Sequence, residues 1–411
     1  VVPYETNSID ASNSVLSRDW NRYLEDIAQA NVLINGVEQL KENGQISEAE
    51  YHSYKAQGEI FRALMMFRMA RLWGSFPVIT TIAKTITSDN INEVYPTYYP
   101  PRKTPKECYE QIIADLTDAE QYAPDNDNSD RTKMTKTVAQ AMLAKVYAEK
   151  EVQDYDKVIA YADKVMNTTG VELEDSYETL WGYDETAIDC MKRNTKEGIL
   201  EVHWSGGGNW ETWMYGRQLD NWDYYFTWAK WITPSRDIIN DFDKEGDEVR
   251  KNQAIVYYAC TWSNYYPASN YPFMYKLRSS YNNIYWVRLA DIILMKAEAE
   301  AYKGNLAESA KLVNQIRKRA KLKDLTSDKT GSKEAMIEAV LHERRLELAF
   351  EGERWFDLCR NNKVEKYLNG IDSRDSGRIR QVKQFDSNSY LLPIPQTALD
   401  QNTNLEQNPG Y

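Results

Sequence analysis

Helical periodicity with explicit start and stop signals constrains this chain more than any other feature. Trp20 to Lys41 carries Tyr23, Leu24, Ile27, Ala28, Val32, Ile34 and Val37 at helical spacing, and Asn43-Gly44 stops it. Ser47-Glu48-Ala49-Glu50 reads as a capping box, in which hydroxyl and carboxylate satisfy each other's orphan amides. The helix it opens runs through Ile60, Leu64, Met65 and Met69 to Leu72 and ends before Gly74 and Pro77. Thr104-Pro105 opens a third, with proline at the position where a missing N–H costs nothing.

Residues 136–166 and 286–320 resemble each other as helical hairpins with small residues at the crossing points. In the first, Ala139, Leu143, Ala144 and Tyr147 are expected to face Tyr155, Val158, Ala162 and Val165. In the second, Ala297, Ala301 and Tyr302 precede Gly304-Asn305, followed by Ala307, Ala310, Val313 and Ile316. Small–aromatic alternation across a short turn is how tetratricopeptide-type hairpins stack, with generic antiparallel helices as the plain alternative. The expectation is a mostly α single domain over 1–411, its helical-repeat scaffold at about 20–80, 104–167 and 286–360.

Between the hairpins the character changes. Residues 204–286 hold 22 aromatics in 83 positions, including eight of the twelve tryptophans, and helical periodicity fades. Gly206-Gly207-Gly208, Pro234, Pro267 and Pro272 punctuate the stretch, and long irregular segments of this kind usually carry function. A shorter one lies at about 86–103, around Tyr95-Pro96-Thr97-Tyr98-Tyr99-Pro100-Pro101, too proline-rich for a helix or central strand. The whole chain has 12 Trp and 29 Tyr against 9 Phe, a bias toward aromatics with a polar edge.

Charge narrows the ligand. The net charge is −12, and the 204–286 window holds nine acidic against eight basic residues. A stacking platform for nucleic acid would want a basic groove, so nucleic acid is excluded as the main partner. Neutral, hydroxyl-rich ligands fit instead: a sugar's C–H face lies on Trp or Tyr while its hydroxyls bond Asn, Asp and Tyr. The residues read as ligand-facing are Tyr95, Tyr98, Tyr99, Trp210, Trp213, Asn221, Trp222, Asp223, Tyr224, Trp262, Tyr265 and Tyr266. Phe226, Trp228 and Trp231 are assigned to the core instead.

Chemistry other than binding has little support. His52, His203 and His342 have no ligand partner at helical spacing, and the four cysteines lie about seventy or more residues apart. Neither a metal site, a disulfide framework nor a nucleophilic triad is expected. A glycoside hydrolase would need two carboxylates flanking the bond; Glu211, Asp220 and Asp223 are available, but no motif isolates a pair. Glu343, Glu347 and Glu351, at i, i+4, i+8 beside Arg344, Arg345, Arg354 and Asp357, read as a structural ion-pair network rather than catalytic acids. The chain opens Val1-Val2-Pro3, as expected of a trimmed form whose targeting segment has been removed.

Several blocks together resemble the SusD/RagB family of surface glycan-binding lipoproteins. They are Glu59-Ile60-Phe61-Arg62-Ala63-Leu64 with Arg71-Leu72-Trp73-Gly74-Ser75-Phe76-Pro77-Val78, the run from Arg288 to Ala299, and Asn314 to Ala320. Glu343 to Leu358 is the most specific, and Leu392-Pro393-Ile394-Pro395 with Gln407-Asn408-Pro409-Gly410-Tyr411 is similar to the C-terminal signature, on an extended tail at about 390–411. The resemblance implies a non-enzymatic protein without cofactor, lipid-anchored on the outer face of a Bacteroidetes-type outer membrane. It would cap a TonB-dependent (SusC-like) transporter and deliver oligosaccharide to it, with peptide capture as the alternative within the family. The lipid-bearing N-terminal Cys is missing here, and the platform residues lie outside the shared motifs, so their choice rests on composition and loop placement.

Overall fold

The computed structural model describes residues 2–187, 189–204, 232–260, 263, 265–279 and 281–411. It is mostly helical, with the tetratricopeptide-like helix pairs expected, and divides into two compact units. The first comprises Val2–Asn126, Met134–Asp154 and Gln381–Tyr411; the second comprises Asp127–Lys133 and Tyr155–Arg380. No described helix is long and apolar enough to cross a membrane.

In the first unit, helix α1 (Ser14–Glu42) begins at Asn13, whose side chain accepts from the amides of Val15 and Leu16. Helix α2 (Glu48–Trp73) opens on the expected Ser47/Glu50 capping box, and α3 (Pro105–Tyr122) on a second one built by Thr104 and Glu107. α2 packs between α1 and α3, and α4 (Lys136–Tyr147) packs on α3. Gly58 explains the close approach of α1 and α2: a Cβ there would stand 2.8 Å from Leu33 Cδ2 and 2.9 Å from Ile34 Cγ1. Buried Arg62 ties all three helices. Its Nε and Nη2 donate to the two carboxylate oxygens of Asp115 on α3, each at 2.8 Å, and its Nη1 donates to Asn31 on α1 at 2.8 Å.

The exit of α2 is where the C-terminal tail docks. Trp73, itself edge-on to Trp20 at 5.3 Å, donates from Nε1 to the Pro393 carbonyl at 3.1 Å. The Leu392 amide donates to Leu72 O, and Asn408 Nδ2 donates to both Trp73 O and Leu392 O. Gly74 turns the chain at φ 74°, and a Cβ there would meet Leu391 Cδ1 at 2.7 Å, so both the backbone and the contact require glycine. Within the tail, Gln396–Gln401 forms a short helix.

In the second unit, α5 (Tyr155–Met166) packs on a later helix, α9 (Leu289–Lys303), with Tyr155 stacked on Tyr302 at 4.8 Å. Each helix of the 136–166 segment also has a packed neighbour within its own unit, α4 on α3 and α5 on α9. The second expected hairpin forms as read. α9 turns at Gly304-Asn305 into α10 (Leu306–Arg319), and Ser309 Oγ donates to Ala297 O at 2.7 Å. The helix α9 starts at Leu289 rather than 286, because Asn283–Arg288 is a strand paired antiparallel with Gly198–His203, matching Glu201 to Tyr285.

The irregular region also contains order. After α6 (Glu178–Trp181) come α7 (Arg236–Glu245) and α8 (Glu248–Ala254), then the antiparallel pair Ile255–Tyr258 and Tyr271–Met274. Ile238, Phe242, Ala254 and Ile255 pack against Leu346 and Ala349 near the end of α11 (Lys333–Glu347).

Glu343, Glu347 and Glu351 anchor a buried ionic network, the structural role expected of them. Glu347, 0% exposed, accepts from Arg288 at 2.6 Å, Arg250 at 3.2 Å and Arg319. Glu343 accepts from Arg250 at 2.7 Å and Arg317 at 3.0 Å. α11 ends at Glu347, so Glu351 stands in the following turn rather than on the helix face. There it still receives Arg288 and Lys276, at 2.7 and 2.6 Å. Glu197 closes the circuit by accepting from Arg288 and Arg319. Burial pushes the Glu347 carboxyl toward its neutral form, but Arg319, Arg288 and Arg250 together hold its pKa well below the ordinary carboxylate range. Also on α11, Arg344 pairs with Asp291 and Asp357, and Arg345 with Asp237 and Asp241.

Removing one member of such a network leaves charges buried without compensation, which costs about 3–5 kcal/mol. Glu347→Ala is expected to lower unfolding free energy by that amount in chemical denaturation, several times more than Ala at an exposed ion pair such as that of Arg22. A pH test follows from Glu245, which His342 (3.2 Å) and Arg317 (3.0 Å) hold ionised against its partial burial, lowering its pKa to about 2. The unfolded chain takes the proton first, near a pKa of about 4.3. The stabilisation is thus full above that value and is lost as pH falls toward 2. Denaturation midpoints measured from pH 5 to 2 are expected to fall less steeply in Glu245→Gln than in the parent.

Candidate functional site

Of the twelve residues read as ligand-facing, Trp210, Trp213, Asn221, Trp222, Asp223, Tyr224 and Trp262 lie outside the described residues. So do the core assignments Phe226, Trp228 and Trp231 and the carboxylates Glu211 and Asp220. The remaining five form two groups, one in each unit.

In the first unit, Ile91–Val94 makes one helical turn and continues as a tighter turn over Tyr95–Tyr98, with Pro96 at its start. This places Tyr95 and Tyr98 outward, 51% and 45% exposed. The Tyr98 hydroxyl donates to Lys84 O at 2.8 Å, which holds the ring while leaving its faces to solvent. Tyr95 and Tyr99 lie 5.2 Å apart with planes inclined by 57°, and the neighbouring Tyr95 phenol raises the Tyr99 pKa. The tail props this segment from behind: Asn404 Nδ2 donates to Tyr99 O and Asn402 Nδ2 to Pro100 O. The result is a set of exposed phenol rings on a braced backbone, suited to a flat C–H face with hydroxyls around it.

In the second unit, Tyr265 and Tyr266 are half-buried and meet edge to face at 4.5 Å. The Arg236 guanidinium lies 4.4 Å from one ring centre and 4.2 Å from the other. Their hydroxyls turn into the protein: Tyr265 donates to Asp375 Oδ1 and Tyr266 to Pro234 O. Asp375 also accepts from the Arg236 amide at 3.0 Å. Burial raises the pKa of both phenols, and the Asp375 carboxylate adds to it. These two tyrosines therefore offer ring edges rather than hydroxyls to anything outside. Tyr266 continues edge-on to Tyr271, whose ring lies 5.2 Å from that of Phe273 at an inclination of 50°.

Reading by composition missed Arg236 and Asp375, which build this group from positions 139 residues apart. No local signal links them. It also left out Tyr257 and Tyr258, each 37% exposed on the Ile255–Tyr258 strand.

A helical-repeat scaffold carrying irregular, tyrosine-rich segments defines the class, and comparison with known proteins gives the family. The family described as "SusD family" matches residues 119–411, and the one described as "Starch-binding associating with outer membrane" matches residues 3–148. The chain belongs to the SusD family, as its sequence blocks indicate. SusD-like protein P2 of Formosa agariphila is 26% identical over 441 residues, covering 97% of this chain and 81% of that protein. A SusD superfamily protein from Parabacteroides distasonis superposes with a TM-score of 0.79 at 23% identity, over 100% of this chain and 89% of that one. A laminarin-binding SusD-like protein superposes with a TM-score of 0.73 at 22% identity, over 99% and 88%.

The two tyrosine groups separate in a mutational test. Tyr265→Phe removes a hydrogen bond to a carboxylate and is expected to cost about 1.5–3 kcal/mol in thermal or chemical denaturation. Tyr98→Ala is expected to change stability by less than about 0.5 kcal/mol, as befits an exposed ring.

Proposed function

We propose that this protein is a non-catalytic glycan-capture protein of the cell surface. In this reading it is lipid-anchored at the outer membrane and hands oligosaccharide to a TonB-dependent transporter. The observation that carries the reading is the concentration of 22 aromatics in residues 204–286 of a SusD-family chain, with near-balanced charge in that window. The starch-binding, outer-membrane description of the N-terminal match and the laminarin-binding relative support it. Trp210, Trp213, Trp222, Tyr224 and Trp262 would supply stacking faces, with Asn221 and Asp223 as hydroxyl partners, and exposed Tyr95 and Tyr98 with half-buried Tyr99 a second set. Tyr265 and Tyr266, whose hydroxyls are engaged internally, would contribute ring edges only. The scaffold at about 20–80, 104–167 and 286–360 would hold these segments without touching ligand.

Affinity electrophoresis and calorimetry against a polysaccharide panel, with reducing ends assayed in the same tubes, test the reading. Saturable binding to one glycan without new ends is expected. Replacing Trp210 and Trp222 together by Ala is expected to weaken that binding at least roughly thirtyfold, at about 1–3 kcal/mol per stacking face by analogy with bases, and to leave the melting temperature unchanged. New reducing ends would make the protein a hydrolase. Binding to peptides and to no glycan would move it to the peptide-capturing branch.

A further inference from the structure

Two matching polar stripes meet where α2 packs on α3 in the first unit. Glu48, His52, Lys55, Glu59 and Arg62 recur every three or four residues on α2, and Gln111, Asp115, Asp118 and Tyr122 do so on α3. The stripes run antiparallel. His52 stacks on Tyr122 with ring centres 4.3 Å apart, Lys55 donates to Asp118 at 2.5 Å, and Arg62 reaches both oxygens of Asp115. At the outer end Glu48 accepts from Lys41 at 2.8 Å and meets His52 Nε2 at 3.1 Å.

The charges match at both ends of the seam and fail to match in its middle. Arg62 is committed to Asp115, which leaves Lys55 between two carboxyl groups, Glu59 at 2.8 Å and Asp118 at 2.5 Å. Those carboxyls lie within hydrogen-bond reach of each other. Glu59 is 5% exposed, and its Oε2 is buried with no hydrogen-bond donor among the described residues. A buried carboxylate oxygen that receives nothing is costly, and two carboxylates in contact repel. One proton on Glu59 removes both faults. The O–H of the acid donates to Asp118, while the other oxygen still accepts from Lys55. The neighbouring helices bring neutral groups already in use: Asn31 of α1 bonds Arg62 and Ile79 O, and Gln140 of α4 donates to Glu120.

We propose that Glu59 and Asp118 share one proton at neutral pH, and that this proton makes the seam between α2 and α3 a pH-dependent clamp, tighter in mild acid than in mild base. Burial pushes the Glu59 pKa up, Lys55 pulls it back and Asp118 adds to the rise, which leaves it at about 7. Burial acts on Asp118 in the same direction, but Lys55 and Glu59 outweigh it and lower that pKa, so the proton resides on Glu59. In the unfolded chain a glutamate holds its proton only below about 4.3. The folded chain thus binds this proton more tightly, and stability grows as pH falls from about 8 to 5. Arg62, one turn beyond Glu59, also donates to Thr80 O at 3.3 Å, so the clamp adjoins the base of the segment that runs to Tyr95. The clamp stands independently of the capture reading.

Carbon NMR of the full chain, labelled at the glutamate side-chain carboxyl and titrated across neutral pH, tests this. One glutamate is expected to titrate with a midpoint near 7, against about 4.3 for an exposed one. Glu59→Gln keeps an acceptor for Lys55 and a donor for Asp118, and is expected to delete that transition while leaving the fold intact. Asp118→Asn removes the neighbouring negative charge and is expected to move the midpoint downward. In thermal denaturation the parent is expected to gain about 2–4 °C on E59Q between pH 8 and 5.5. Any one of four results would overturn the proposal: every glutamate titrating in the ordinary range, a neutral transition that survives E59Q, a midpoint indifferent to D118N, or identical pH profiles of Tm in parent and E59Q.

Discussion

Glu347 meets three arginines from three separate parts of the chain, and the order of the second unit depends on that meeting. Arg250 comes from α8, Arg288 from the end of a strand and Arg319 from the end of α10. Hydrophobic burial would bring these elements together but is non-directional and tolerates sliding. Buried charges do not, because each displaced by a few ångströms loses its partner while its desolvation cost remains. Glu343, Glu351 and Glu197 extend the constraint to Arg317 and Lys276. The network therefore sets the register of α8, α10 and α11 against the strand that leads into α9. The short helices and strands between residues 232 and 281 are thus built against a rigid base, as irregular segments must be if they are to present side chains reproducibly.

The first unit uses the same physics on a smaller scale. Arg62 reaches Asp115 with two parallel hydrogen bonds and Asn31 with a third, so one guanidinium sets three helices. At the end of α2, Leu72, Trp73 and Gly74 receive Leu391, Leu392, Pro393 and Asn408 from the last twenty-odd residues of the chain. Two of the blocks that identify the family, far apart in sequence, are thus two halves of one contact. The most specific block, Glu343 to Leu358, is likewise the spine of the ionic network. What marks the family is scaffold, and this is the physical reason the shared motifs carry no information about ligand.

That division also explains how much could be read in advance. Capping boxes, helix exits and the Gly304-Asn305 turn act over a few residues and were legible at Ser47, Thr104 and Gly74. The acidic ladder was legible as structural because its spacing repeats on a helix, yet its true partners were not. Arg250 lies 97 residues from Glu347 and Glu197 lies 122 from Arg319. For the tyrosines, composition distinguishes an aromatic-rich segment from a helix but not an outward hydroxyl from an inward one. Tyr98 and Tyr265 look alike in sequence; only the placement of Lys84 O and of Asp375 separates an exposed ring from a wall.

Capture followed by release sets a ceiling on how a site of this kind can be built. A deep enclosed pocket would hold ligand tightly and free it slowly, since affinity within one interface is tuned mainly through the off-rate. Open aromatic faces avoid this. Each adds a modest increment, and an exposed ring such as Tyr95 or Tyr98 loses little water and little side-chain freedom when it is covered. Tyrosine suits the task better than phenylalanine, because its hydroxyl can be tied to the backbone, as Tyr98 is to Lys84, fixing the ring before ligand arrives. On the proposed capture reading, the excess of Tyr and Trp over Phe in this chain would serve wet, preorganised recognition on a scaffold whose register is set by buried ion pairs.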